Sequence, residues 1–188
     1  MTDVTELADR LHAAGLIFRG MADLDCPLIP PKLATGAAGY PPPSGRWPVS
    51  SVEIDAQDWV VRANKGWFEL SRDGGLFSAD REFFVAVERQ EEEWWWARVG
   101  LAETWDVMGA GAAGLLGSGY GVPGFTMLSL AGDVIVCGME WQTTIGAVLV
   151  SHFDEHRKLR EYSEWTAGWQ GTPEQERVAI RNWLSILK

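Results

Sequence analysis

Cysteine is scarce in this chain. Cys26 and Cys137 are its only thiols, and they lie far apart with no C-x-x-C spacing. Two such thiols make no disulfide framework, which points to a reducing compartment. Long apolar runs are missing as well. A membrane span needs about 18 consecutive apolar residues, and the longest run here, Ile145–Val150, is strand-sized. The opening residues Met1–Glu6 are acidic and lack the basic start and apolar core of a secretory signal. A cytoplasmic location away from membranes is the expectation.

The most informative absence is that of positive charge. No Lys or Arg occurs between Arg98 and Arg157, while Glu103, Asp106, Asp133, Glu140, Asp154 and Glu155 all fall inside that gap. The net charge is −10, and His152–Lys188 balances six acids against six bases, so the whole excess lies in residues 1–151. Such a surface repels phosphate backbones, which argues against nucleic acid as a partner and for a basic protein.

The chain's 188 residues suit a single domain over 1–188. Leu7 and Leu11 share one face of a first helix, with Thr2 as its cap and Gly15 just past its end. Leu16–Arg19 reads as a short extended piece. Residues 20–48 hold seven of the nine prolines. Proline fixes φ and removes a donor, so a long loop that is neither helix nor central strand is expected there. Val52–Ile54 and Trp59–Arg62 read as strands. Asn64-Lys65-Gly66 reads as a turn, with Trp67–Ser71 as the returning strand. Phe83, Val85 and Val87 alternate, and Trp94–Val99 is β-prone, giving a hairpin with its tip at Arg89–Glu93.

Residues 109–124 read as a glycine-rich loop. Phe125–Leu130, Val134–Trp141 and Thr143–Val150 follow as three strands, the first two joined at Gly132-Asp133. Asp154 is read as the cap of a helix carrying Leu159 and Tyr162. Thr172-Pro173-Glu174-Gln175 reads as a capping box that opens a last helix with Val178, Trp183, Leu184 and Leu187 on its apolar stripe. The pattern implies an α+β fold: one curved, mainly antiparallel sheet with an N-terminal helix and two C-terminal helices.

Several segments carry chemical motifs. Gly109–Gly114 matches G-x-G-x-x-G, whose glycines let a backbone approach a pyrophosphate. Its context lacks a preceding buried parallel strand, and Gly117, Gly119 and Gly121 disfavour a following helix. His152-Phe153-Asp154-Glu155-His156 matches H-x-x-E-H, in which two histidines on one helix face hold zinc and Glu activates water. Glu161 or Glu164 would complete the ligand set. A cap at Asp154 would leave His152 outside the helix and spoil that geometry. Glu161 and Glu164 also form a carboxylate pair on a helix, a pattern more often merely solvated. Cys137 sits in an apolar strand with no base nearby and reads as a buried, inert thiol.

Glu91-Glu92-Glu93 followed by Trp94-Trp95-Trp96 is the most unusual local feature. Strand side chains alternate, so three successive indoles cannot all point inward. Either one is exposed as a binding hot spot or aromatic platform, or the proline-rich loop covers the extra ring.

The segment Val61-Arg62-Ala63-Asn64-Lys65-Gly66-Trp67-Phe68-Glu69-Leu70-Ser71 is similar to the G-W-x-x-L-S hairpin of the TNT-antitoxin type of bacterial immunity protein. That resemblance covers about a tenth of the chain. It implies no catalysis and no cofactor, and one-to-one binding that plugs a toxin's active site.

The sequence thus leads to an acidic protein-binding module, an immunity protein that occludes a basic toxin. Glu91, Glu92, Glu93, Trp94, Trp95, Trp96, Glu103 and Asp106 are the expected contact residues. Two alternatives stand beside it: a zinc hydrolase built on His152, Glu155, His156 and Glu161, and a small-molecule or sugar-binding domain using exposed tryptophans.

Overall fold

The computed structural model describes residues 4–22, 26–42, 45–90 and 93–187. Helix α1 spans Val4–Ala13, and Leu7 and Leu11 on its inner face are buried. Gly15 follows with φ of 77°. A Cβ there would collide with the Trp105 backbone, so the chain reverses at a position only glycine fills. Strand β1 (Leu16–Met21) comes next, then a short helix α2 (Pro31–Gly36) inside the proline-rich segment. The expectation of no helix there is corrected. Pro31 occupies the first turn, where its missing N–H costs nothing and its fixed φ suits the helix.

A second correction concerns residues 59–71. Instead of two strands and a turn, they form one helix, α3 (Trp59–Asp73), which follows strand β2 (Val49–Glu53). Ala63, Trp67 and Ser71, four residues apart, form its buried stripe. Gly66 serves close packing rather than a turn, because a Cβ there would collide with the Ser50 side chain on β2. The hairpin that carries the resemblance at Val61–Ser71 is therefore absent.

The expected hairpin further on is present, as β3 (Glu82–Gln90) and β4 (Glu93–Leu101). After it come the short pair β5 (Gly117–Gly119) and β6 (Val122–Pro123), then β7 (Thr126–Leu128), β8 (Val134–Glu140) and β9 (Thr144–Ser151). Helices α4 (Arg157–Gly168) and α5 (Glu174–Ile186) close the chain. The main sheet has seven strands in the order β1-β4-β3-β7-β8-β9-β2, and every neighbouring pair is antiparallel.

Both faces of this sheet are covered. Phe83, Val85 and Val87 join Leu11, Trp67 and Met108 in one apolar layer. Phe84 and Ala86 join Ile29, Leu33, Leu159 and Trp183 in the other. The period-2 alternation of β3 therefore feeds two cores at once. The fold is α+β, with a mainly antiparallel sheet, an N-terminal helix and two C-terminal helices, as the sequence pattern implied.

The two last helices are antiparallel and cap each other. Arg160 of α4 donates to the Leu187 carbonyl at the end of α5, at 3.0 Å. Arg181 of α5 donates to the Ala167 carbonyl near the end of α4, at 3.1 Å. Each guanidinium thus satisfies a carbonyl that a helix end leaves unpaired. Of the expected N-caps, Thr2 lies outside the described residues and the other two differ. Asp154 lies in a 3-10 turn and His156 precedes α4. Thr172 donates to the Thr166 carbonyl at 2.8 Å instead of capping α5. On α5, Ile180 and Trp183 are buried, whereas Val178 is exposed.

Candidate interaction surface

Alternation along β4 divides the three tryptophans. Trp95 packs against the layer that contains Trp67, with the Arg89 guanidinium 5.2 Å from its ring centre. Trp94 and Trp96 take the opposite face. Trp96 is buried, and its indole N–H donates to the Ile29 carbonyl at 2.8 Å. The proline-rich segment therefore covers Trp96, while Trp94 stays 38% exposed.

A groove of about 350 Å³ opens beside Trp94. Trp94 and Trp96 form its floor, the Leu28–Lys32 stretch one wall, and Pro173, Glu176 and Ala179 at the start of α5 the other. Lys32 reaches across to Glu176 at 3.6 Å. Glu93 also lines the groove and has no ion-pair partner among the described residues. Alternation along β4 puts the Glu93 side chain on the Trp95 face, so among the described residues the charged side chains from the groove's two walls are the paired Lys32 and Glu176. Glu91 and Glu92, the other two acids of the run, lie outside the described residues.

The remaining expected contact residues are not brought to this groove. Glu103 is exposed just beyond Leu101, at the far end of β4 from Glu93. At about 3.3 Å per residue that separation is on the order of 30 Å. Asp106 has a different task. Its carboxylate accepts the backbone N–H groups of Gly109 and Ala110, at 2.9 and 2.8 Å, and the Asn64 amide at 2.6 Å. The Asn64 carbonyl oxygen in turn accepts from Met108 N–H at 2.9 Å. Asp106 therefore fixes a single π-helical turn, Val107–Gly111, against α3. The same bonds dispose of the nucleotide motif, because the chain's own carboxylate occupies the N–H groups of Gly109 and Ala110.

The histidine motif also comes apart. His152 is exposed, has φ of 52° and precedes the 3-10 turn. His156 lies just outside α4 against Trp47, with ring centres 5.6 Å apart. Its two ring nitrogens are buried without a hydrogen-bond partner among the described residues. Glu161 is engaged by Arg157 at 2.7 Å. Among the described residues no three His, Cys, Asp or Glu side chains are grouped to hold a metal ion. Cys137 is buried, and burial pushes its thiol up to about 12.

Sequence reasoning passed over a second aromatic feature. Tyr162, Trp165 and Trp169 are all exposed on and just after α4. Trp165 and Trp169 stack at 5.7 Å with planes 12° apart, Tyr162 stacks on Trp165 at 6.0 Å, and Tyr40 meets Tyr162 at 5.8 Å. The signal was present as aromatics at i, i+3 and i+7, one exposed face of a helix. No protein-family model, no curated protein and no solved structure matches this chain.

Proposed function

We propose that this chain is a non-enzymatic protein-binding module of the immunity-protein kind, which neutralises a basic partner by covering its active site. The observation that carries this reading is the groove floored by Trp94 and Trp96 and bordered by the Lys32–Glu176 ion pair. A half-exposed indole set in a groove and ringed by polar groups has the anatomy of an interface hot spot. The charge of −10, concentrated before residue 152, would speed the encounter with a basic surface. The reading does not lean on Val61–Ser71, which is helical. Its test is co-expression. A partner captured from the producing cells should be toxic alone and harmless with this chain. A partner equally toxic with and without it would refute neutralisation.

The exposed stack of Tyr162, Trp165 and Trp169 favours a second reading, a small-molecule or sugar site on α4. A tryptophan-fluorescence screen on wild-type and Trp165→Ala protein separates it from the first. Ligand-induced quenching that disappears in the variant would establish it.

A further inference from the structure

We infer that the aromatic row of Tyr162, Trp165 and Trp169 receives a proline-rich, extended segment of a protein partner. This goes beyond the groove reading, since the row shares no residue with the groove. All three rings are exposed, and successive planes lie within 27° and 12° of each other, so they form one strip along and just past α4. The strip is held in place before anything binds. A Cβ on Gly171 would lie 2.6 Å from the Trp169 ring, so that ring rests on the backbone at Gly171. The Thr172 N–H donates to the Trp169 carbonyl at 3.2 Å and fixes the same turn. A ligand therefore meets rings that are already ordered.

The occupant follows from spacing and from a pairing that the chain already makes. A polyproline II segment advances about 3.1 Å per residue, so two residues span about 6.2 Å. The ring centres are 6.0 and 5.7 Å apart. Among the described residues, neither Trp165 nor Trp169 has a hydrogen-bond partner for its indole N–H. Elsewhere the chain shows what such a donor takes. Trp96 donates to the Ile29 carbonyl at 2.8 Å, and Trp47 to the Tyr40 carbonyl at 3.0 Å. Ile29 and Tyr40 each precede a proline, Pro30 and Pro41. The carbonyls of a polyproline II segment have no partner within their own helix and stay open to such donors.

Other occupants fit less well. Arg157 answers Glu161 at 2.7 Å, and exposed Lys158 and Glu164 balance each other, so a neutral ligand suits the strip. A sugar needs polar side chains for its hydroxyls. Those of Ser163, Thr166 and Thr172 are engaged by carbonyls of the chain itself. An added β-strand needs a sheet edge, which a helix does not offer.

The test uses the full chain, ¹⁵N-labelled and titrated with acetyl-hexaproline amide, acetyl-(Gly-Ser)₃ amide and cellohexaose. Hexaproline should shift the Trp165 and Trp169 indole signals and the α4 amides saturably, with a dissociation constant on the order of 1 mM. The flexible Gly-Ser peptide should bind at least about tenfold more weakly, because it lacks the preformed helix. Trp165→Phe/Trp169→Phe keeps both rings and removes both N–H groups. It should weaken hexaproline binding roughly tenfold, read on the α4 amides. No saturable shift with hexaproline, equal binding of the Gly-Ser peptide, or wild-type affinity in the double variant would each overturn the inference. Saturable binding of cellohexaose alone would overturn it in favour of the sugar site. Capture of a neutralised partner by a chain that ignores hexaproline would overturn it and leave the groove reading standing.

Discussion

The indole N–H of Trp96 on β4 donates to the backbone carbonyl of Ile29 at 2.8 Å, joining positions 67 residues apart. This bond pins the proline-rich segment to the sheet and so sets one wall of the groove beside its floor. Trp96→Phe keeps an aromatic ring but leaves the carbonyl unpaired and a small void. It should cost roughly 1–3 kcal/mol of stability. Urea unfolding measures this, and an unchanged midpoint would mean that the bond does not anchor the segment.

The carboxylate of Asp106 binds two backbone N–H groups and Asn64 at once. Asp106→Ala should therefore destabilise the chain by about 2 kcal/mol or more, because charged-group bonds are lost and donors are orphaned. Asn64→Ala should cost less. The double variant should fall short of the sum of the two, since both residues belong to one network. Simple additivity in a double-mutant cycle would contradict the network.

Arg160 and Arg181 cap each other's helices. Replacing either with Ala should cost about 1 kcal/mol, and hydrogen exchange should quicken at the end of the helix that loses its cap. In Arg181→Ala the faster exchange belongs near Ala167. In Arg160→Ala it belongs near Leu187. Uniform quickening in both variants would rule out local capping.

Cys137 predicts both a labelling pattern and a pH dependence. The native chain should react with a thiol reagent once, at exposed Cys26, and twice only after unfolding. Burial raises the Cys137 thiol from 9.0 to about 12. The unfolded chain then loses this proton first as pH rises. The contribution is constant below pH 9.0 and falls through the window up to about 12. Cys137→Ala should flatten that part of the stability profile. Two fast-reacting thiols in native protein would contradict the burial.

The sequence disclosed its strands more readily than its helices. Phe83, Val85 and Val87 alternate without interruption, and this simple period was enough to place β3 opposite β4. Trp59–Ser71 misled because its β-prone residues flank Asn64-Lys65-Gly66, a local turn signal. Tertiary packing overrode that signal, since Trp67 is buried against Phe77 and Trp105 and Gly66 lets the helix approach Ser50. At the candidate site, alternation alone separated Trp95 from Trp94 and Trp96. What no local rule supplies is the second wall of the groove, formed by α5 some 80 residues further along the chain. The same limit explains Asp106, which reads as a surface acid until Asn64 and the π-helical turn are brought to it.

We propose that this chain binds its protein partner through the groove beside Trp94. Parallel affinity capture from the producing cells, with wild-type chain and with a Glu93→Gln/Trp94→Ala variant shown to unfold at the same temperature, tests it most directly. One stoichiometric basic partner is expected on the wild-type chain, with its loss or steep reduction on the variant. The same partner held equally by both chains, or no partner on either, would contradict it.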